Sequence, residues 1–371
     1  MTEPKQTAKT WATLAAGILF AACGASSFDA AAQTAPRGGD GGWAYIDKLP
    51  KAERKAVLER EAAREGSFVL YGQLGIDRAE HITKVFNARY PNIKVNFVRQ
   101  TAAEQSEKVL MEHRLNKMAG DVILTDTSLL FVLQEAFAPF EPSSWSEFDP
   151  RFLYGGKAKG WTAVVYELLP SVIAWRTDRI PSAEAPKTLD ALSDPKWKGR
   201  VGTTTHLESF IEAMTGVYGK DVAETKARNL AKLDNRLYRS QAALGEALSA
   251  GSIDVVWNLS TLRADQMKSR GQPVDWVLQE PLFGIAVTAS ALRRAKNPYA
   301  AALFVDFLLE ADTLRKMEIA EGLKRMFGNL KGKYEYDVTQ YKTLRPYPPI
   351  AEDKFKELNL LAQKLFIRKE Y

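Results

Sequence analysis

Polar side chains follow the predicted β-strands at six points where the chain then begins a helix. A helix start leaves backbone N–H groups without partners and favours negative charge. Together with hydroxyl, amide and guanidinium groups, such donors suit phosphate, carboxylate or other oxygen-rich ligands. The candidate ligand-binding residues at these points are Gln73, Arg99, Thr101, Thr125, Asp126, Thr127, Thr205, His206, Ser209, Arg239, Ser240, Trp257 and Asn258.

Each candidate also has an ordinary structural interpretation, which the sequence leaves open. A Thr or Ser at a helix start commonly caps the helix, and Trp257 suits core packing as well as stacking on a ligand. Arg99 and Arg239 directly follow strands, where a guanidinium group can clamp an anion. His206 falls in the first turn of a predicted helix, where a neutral imidazole can donate to a ligand.

Residue patterns for catalysis are scarce. His81 and His113 fall in mid-helix without a partner at metal-binding spacing, and the sequence contains no H-E-x-x-H, G-x-S-x-G or P-loop pattern. The only cysteine, Cys23, lies near the N-terminus, outside the predicted folded part. We therefore expect a protein that is not an enzyme, with no catalytic residues, no metal site and no cofactor.

Length and charge limit the class of protein. A chain of 371 residues favours two domains, and a hydrophobic fraction of 46% is ample for two cores. The formal net charge is +6, but the basic residues are scattered and form no long run. This distribution indicates a solvated surface with a bias toward acidic ligands, and it argues against a nucleic-acid-binding face.

Residues 1–33 are typical of an export signal. Two lysines precede an apolar run over residues 11–22, which is too short to span a bilayer. The three alanines at 30–32 suit cleavage by a signal peptidase. Cys23 also follows residues 19–22 in a pattern that resembles a bacterial lipoprotein signal. We expect a periplasmic protein, either released by cleavage or anchored to the membrane through a lipidated Cys23.

Strands that alternate with capped helices would position the polar turns. The predicted strands are 67–71, 93–98, 121–124, 200–204, 236–239, 252–257 and 274–278. This alternation favours parallel sheets covered by helices, in which ligands bind beyond the carboxyl ends of the strands. Residues 161–175 indicate two strands, broken at Pro170, that cross between lobes. Residues 34–44 indicate a flexible linker, and a charged helix follows over residues 51–64.

One turn–strand–helix unit is distinctive. It begins with Asp194-Pro195-Lys196-Trp197-Lys198-Gly199-Arg200, in which Gly199 permits a tight reversal before a short strand. Thr205 and Glu208 then have the spacing of a capping box. We expect the helix that they begin to end at Gly219.

This unit, preceded by Leu189-Asp190-Ala191-Leu192, resembles the start of the second lobe in periplasmic solute-binding proteins of ABC importers, above all the ferric-iron-type branch. Residues 297–309 resemble a late helix of the same family, and the resemblance covers roughly residues 66–330. It implies an α/β fold, the two-lobed type 2 periplasmic-binding-protein fold, with parallel-rich sheets covered by helices. Hinge strands would join the lobes and allow closure around a ligand.

The resemblance also implies a domain organisation. The expected boundaries are 1–33 for the signal peptide, 34–65 for a linker and N-terminal helix, 66–165 for lobe 1, 166–177 for the hinge crossing, 178–280 for lobe 2, and 281–371 for the return crossing and C-terminal helices.

The implied function is capture of a small polar solute, which we expect to be anionic, for an inner-membrane ABC permease. A sensory or accessory protein of the same fold that docks on a membrane receptor is the alternative. Ferric-iron members bind metal through a tyrosine pair after a strand corresponding to 253–257, where this chain has Asn258-Leu259-Ser260. Iron binding of that kind is therefore not expected. We expect a monomer that binds no nucleic acid.

Overall fold

The computed structural model describes residues 35–321 and 344–371. The predicted export signal, with Cys23, lies outside the described residues. None of the described helices combines the length and the apolar character that crossing a bilayer requires.

Helices and strands alternate along most of the chain, as the sequence predicts. The first half contains α1 (Gly39–Lys48), α2 (Lys51–Glu65), β1 (Ser67–Gly72), α3 (Ile76–Arg89), β2 (Lys94–Arg99), α4 (Ala102–Arg114), β3 (Val122–Asp126), α5 (Leu130–Leu133), β4 (Leu153–Gly156) and β5 (Trp161–Arg176). The second half contains α6 (Leu189–Leu192), β6 (Val201–Thr204), α7 (Glu208–Tyr218), α8 (Lys220–Ala231), β7 (Arg236–Tyr238), α9 (Gln241–Ser249), β8 (Val255–Ser260), α10 (Thr261–Ser269), β9 (Val274–Leu278), β10 (Phe283–Ala291), α11 (Pro298–Leu308), α12 (Ala311–Glu321), β11 (Arg345–Pro346) and α13 (Glu352–Ala362).

The strands form one hydrogen-bonded series in the order β2-β1-β3-β10-β5-β8-β6-β7, with β4 and β9 also pairing with β5, and β11 with β10. We call the part built on β1 to β4 lobe 1, and the part built on β6 to β9 lobe 2. In lobe 1, β1 is parallel to β2 and β3. In lobe 2, β6 is parallel to β7 and β8. Each lobe therefore gathers the carboxyl ends of three strands along one edge.

Two strands join the lobes. Strand β5 pairs with β10 over Val164 to Pro170 and then with β8 and β9 from Ser171 onward. The predicted break at Pro170 is wrong, because β5 is one continuous strand of 16 residues. Pro170 lies where the neighbours of β5 change, so its missing N–H falls at the transition between the two pairings.

The N-terminal region differs from the predicted linker. Residues 39–48 form α1, and Trp43 and Ile46 are buried against lobe 1. The Trp43 Nε1–H donates to the Arg293 carbonyl oxygen at 2.8 Å. The Glu65 carboxylate, at the end of α2, accepts the Ala300 N–H at 2.7 Å and so caps the start of α11. Burial of Trp43 and Ile46, together with the Glu65 cap, keeps this segment ordered despite its glycine-rich composition.

The distinctive unit at residues 194–208 folds partly as predicted. The Asp194 carboxylate accepts the Lys196 N–H at 2.9 Å, and Gly199 has a φ of 75°, in the left-handed region that glycine adopts readily. Helix α7 ends at Gly219, as expected. The predicted capping box is wrong, because α7 begins at Glu208 without a side-chain cap. Glu208 instead accepts a hydrogen bond from Asn359 at 3.2 Å.

A charged bridge holds this unit to the rest of lobe 2. Asp254 accepts from Arg179 Nη1 at 2.7 Å and from Arg200 Nε at 2.8 Å. Burial alone would raise the pKa of Asp254, but the hydrogen bonds from the two guanidinium groups outweigh it and lower that pKa. Stability from a carboxyl group with a lowered pKa is present above the pKa of the unfolded chain and is lost as the pH falls.

We predict that Asp254→Asn lowers the free energy of unfolding by about 1–2 kcal/mol at pH 7, since it removes two charge-assisted hydrogen bonds. Urea denaturation of parent and variant at pH 7 and again near pH 3 would measure this, and the difference should shrink at the lower pH. Asp190→Asn is the matched control, because Asp190 pairs with Lys226 but is 76% exposed. Equal losses in the two variants would contradict the prediction.

Candidate functional site

Gln73 lies just after β1, at the centre of the lobe 1 edge. Its Nε2 donates to Gln105 Oε1 at 2.9 Å and to Thr125 Oγ1 at 3.1 Å. Gln105 is buried and in turn donates to the Leu124 carbonyl oxygen at 3.1 Å. Both amino hydrogens of Gln73 are therefore used, while its Oε1 has no partner among the described residues. The structure thus holds this amide in one orientation, with its oxygen free of hydrogen bonds from the described residues.

Arg99 is the last residue of β2, and Arg239 directly follows β7; these are the outermost strands of the series. Both side chains are exposed, and neither makes a hydrogen bond or ion pair within the described chain. Positive charge at this edge therefore lies on the rim, to either side of the central strands. The two guanidinium groups remain candidates for binding an anion.

Several predicted hydroxyl and carboxylate candidates act locally. Thr101 forms a capping box with Glu104, and the Ser240 side chain accepts the Ala243 N–H at 3.1 Å. Asp126 caps the turn that follows β3 by accepting the Ser128 N–H at 2.9 Å. For these residues the capping interpretation matches the contacts, and ligand binding stays a prediction.

The loop between β6 and α7, with the first turn of α7, carries three of the predicted ligand-binding residues. Thr205 and His206 are exposed, and Ser209 is half-buried in the first turn of α7. None of the three side chains has a hydrogen-bond partner in the described ranges. The backbone is nevertheless fixed, because the Thr205 N–H donates to the Tyr238 carbonyl oxygen at 2.9 Å. These side chains are therefore presented on an ordered backbone without competing contacts.

Trp257 does not fit the predicted role in ligand stacking. It is fully buried, its ring lies 4.8 Å from that of Phe210, and its Nε1–H donates to Asn235 Oδ1 at 2.8 Å. Both the apolar and the polar parts of the side chain are therefore satisfied inside the core of lobe 2. The alternative interpretation, core packing, is the one that the structure gives.

Strand β8 ends later than predicted, so Asn258 is a strand residue and not a loop residue. The pairing of β8 with β5 shifts register here, and Asn258 has a φ of 60°. Asparagine tolerates this left-handed conformation better than most residues. Its side chain turns inward, where Tyr347 and Ser171 both contact Asn258 Oδ1. The hydroxyl group of Thr127, on lobe 1, also contacts the carbonyl oxygen of Tyr347.

A buried ion pair escaped prediction. Arg78, in the first turn of α3, lies with Nη2 2.8 Å from Oε2 of Glu167, which is completely buried on β5. Burial alone would lower the pKa of Arg78, but the adjacent carboxylate outweighs it and raises that pKa. The available signal was that Glu167 is the only charged residue within the apolar run 161–175.

Within the described ranges, no group of three or more His, Cys, Asp or Glu side chains is arranged to hold a metal ion. Tyr347, next to Asn258, is buried, and burial raises the pKa of its hydroxyl. A raised pKa disfavours the phenolate form that ferric iron prefers.

Residues 81–323 match the family of bacterial extracellular solute-binding proteins. The Fe(3+)-binding periplasmic protein of Serratia marcescens is 21% identical over 188 residues, which are 46% of this chain and 54% of that protein. The chain thus spans about half the length of this curated relative.

Solved structures share the fold at low identity. Iron-bound HitA from Pseudomonas aeruginosa superposes with a TM-score of 0.62 at 18% identity, covering 81% of this chain and 99% of that chain. AfuA from Actinobacillus pleuropneumoniae, with fructose-6-phosphate bound, gives a TM-score of 0.62 at 19% identity, covering 82% and 97%.

These neighbours confirm the predicted two-lobed α/β fold of periplasmic binding proteins. The family is extracellular or periplasmic, and its members bind solutes and are not enzymes. Since the family match covers more than half of the sequence, this chain belongs to the family of bacterial extracellular solute-binding proteins.

Proposed function

We propose that this protein captures a small polar, anionic solute between its two lobes and delivers it to an inner-membrane ABC permease. The observation that supports this most is the set of uncommitted polar groups beside the strand ends of both lobes. These groups are the Gln73 carbonyl and Arg99 in lobe 1, and Thr205, His206 and Arg239 in lobe 2.

The balance of charge favours an anion over a cation. Arg239 has no ion-paired carboxylate in the described parts of the chain, and Asp126 is occupied in capping its own turn. Arg99 lies near the exposed carboxylate of Glu104, but the two side chains form no ion pair within the described ranges. Glu167 is paired with Arg78, so these two side chains together carry no net charge. A solute with a phosphate or carboxylate group would meet positive charge at the rim and hydrogen-bonding groups at the centre.

The relatives differ in what they bind, and this difference defines the competing ligands. One neighbour holds iron and another holds fructose-6-phosphate. The absence of tyrosine at residues 258–260 and the buried, hydrogen-bonded state of Tyr347 speak against tyrosinate binding of iron here. The sugar phosphate is the closer guide to the chemistry of the exposed groups. Hinge closure would then bring the two lobes against the solute.

We predict that an anionic solute raises the melting temperature of the purified protein. A thermal-shift panel would contain sodium phosphate, fructose-6-phosphate, citrate, ferric citrate and spermidine. A ligand at 100 times its Kd stabilises by about 2.7 kcal/mol, which raises the melting temperature by about 5–11 °C for a domain of 150–250 residues. Stabilisation by spermidine would contradict the anionic assignment. Stabilisation by ferric citrate would also contradict it if citrate alone has no effect.

We further predict that Arg239→Ala weakens binding of the stabilising anion about tenfold, because it removes a charge-assisted hydrogen bond worth about 1.5 kcal/mol. Arg239→Lys should keep part of the affinity. Arg236→Ala is the matched control, since Arg236 is an exposed arginine at the opposite end of β7. Isothermal titration calorimetry would compare the three variants. Losses of equal size in Arg239→Ala and Arg236→Ala would show that general surface charge, and not the strand end, attracts the solute.

A further inference from the structure

The C-terminal tail adds a third strand at the hinge. Strand β11 pairs in parallel with β10, with Arg345 opposite Phe283 and Pro346 opposite Gly284. On the same edge of β10, strand β3 occupies positions 287–291. The opposite edge of β10 is covered by β5. The tail therefore continues the line of β3 from lobe 1 into the hinge, and then leads to α13, which packs on lobe 2.

Tyr347, the residue after β11, contacts both lobes. Thr127 Oγ1, in the turn after β3 of lobe 1, donates to the Tyr347 carbonyl oxygen at 2.5 Å. The Tyr347 hydroxyl contacts Asn258 Oδ1 in lobe 2 and lies 3.1 Å from Ser171 Oγ on β5. The Tyr347 N–H donates to the Gly284 carbonyl oxygen at 2.9 Å. One buried residue thus bridges lobe 1, the hinge and lobe 2.

We propose that Tyr347 is a positioning residue that couples the two lobes and sets their separation in the solute-free protein. Its ring stacks on Phe283 at 6.4 Å, so the tail is anchored on the return strand while its polar groups reach the lobes. Burial raises the pKa of Tyr347, and the hydroxyl therefore stays protonated and able to donate. The effect of this coupling on solute capture rests on the proposed function, but the coupling itself does not.

One buried donor in the polar cluster around Tyr347 has no hydrogen-bond partner among the described residues. Such a cluster can change between two arrangements. Gln279 Oε1 accepts the Asn258 N–H at 3.2 Å, whereas Gln279 Nε2 is buried without a partner among the described residues. A buried donor without a hydrogen-bond partner costs free energy, because it has lost its hydrogen bonds to water. Separation of the lobes would break the Tyr347 bridge but would admit water to this amide. Hydration of the Gln279 amide in the separated arrangement therefore offsets the loss of the Tyr347 bridge, and the two arrangements are close in free energy. A solute that binds one arrangement more tightly can select it.

The test measures the distance between the lobes without any solute. Spin labels on Glu107→Cys and Glu246→Cys, at exposed positions on α4 and α9, would report it by double electron–electron resonance in the full chain with Cys23→Ser. We expect Tyr347→Phe, which keeps the ring on Phe283, to change the mean distance by more than about 2 Å, the size of a domain rearrangement. Thr127→Val breaks the other end of the bridge and should cause a similar change.

Because both contacts act in series, the double variant should change the distance no more than the larger single variant does. Tyr90→Phe is the matched control, as it removes a tyrosine hydrogen bond to Glu59 within lobe 1. Distance distributions that coincide in the parent, Tyr347→Phe and Thr127→Val proteins would overturn the proposal. Addition of sodium phosphate or fructose-6-phosphate to the labelled parent tests the proposed function separately, since closure upon binding does not depend on the outcome for Tyr347.

Discussion

The two lobes depend on the close contact between β5 and β10 at the hinge. Pro170 lies opposite Gly284 there, and a Cβ atom on residue 284 would lie 2.6 Å from the Leu169 carbonyl oxygen. Only glycine permits strands to approach so closely without displacement. Strand β10 carries β3 on one side of this point, and β5 carries β8 and β9 on the other. The position of both sets of strand ends therefore follows from this one crossing.

Polar groups near the crossing divide into an inner neutral set and an outer charged set. Glu167 and Arg78 neutralise each other in a buried pair, and removal of one partner of such a pair typically costs about 3–5 kcal/mol. The Gln73 amide is fixed by Gln105 and Thr125. The exposed Arg99 and Arg239 lie at the ends of the outer strands β2 and β7. This arrangement suits attraction of an anion at the rim and its orientation by hydrogen bonds further in.

The sequence predicted features that local patterns determine. Strand–helix alternation located the parallel strands, and Thr101 and Ser240 cap helices, which is the ordinary interpretation of a Thr or Ser at a helix start. The glycine-rich composition wrongly predicted a flexible linker at residues 39–44, because burial of Trp43 outweighs the flexibility of the glycines. The bounds of β8 and the orientation of Trp257 depend on a register shift beside Asn258, which no periodicity reveals. Tyr347 lies 89 residues from Asn258 and 220 from Thr127, so its contacts come from tertiary structure alone.

Native mass spectrometry of the protein, purified from a periplasmic extract without denaturation, tests the central claim most directly. A bound mass that is lost on denaturation, and that corresponds to a phosphate- or carboxylate-bearing molecule, is the result that capture of an anionic solute predicts. A bound iron ion or polyamine would contradict it, because neither ligand matches the arginines and hydroxyl groups at the strand ends.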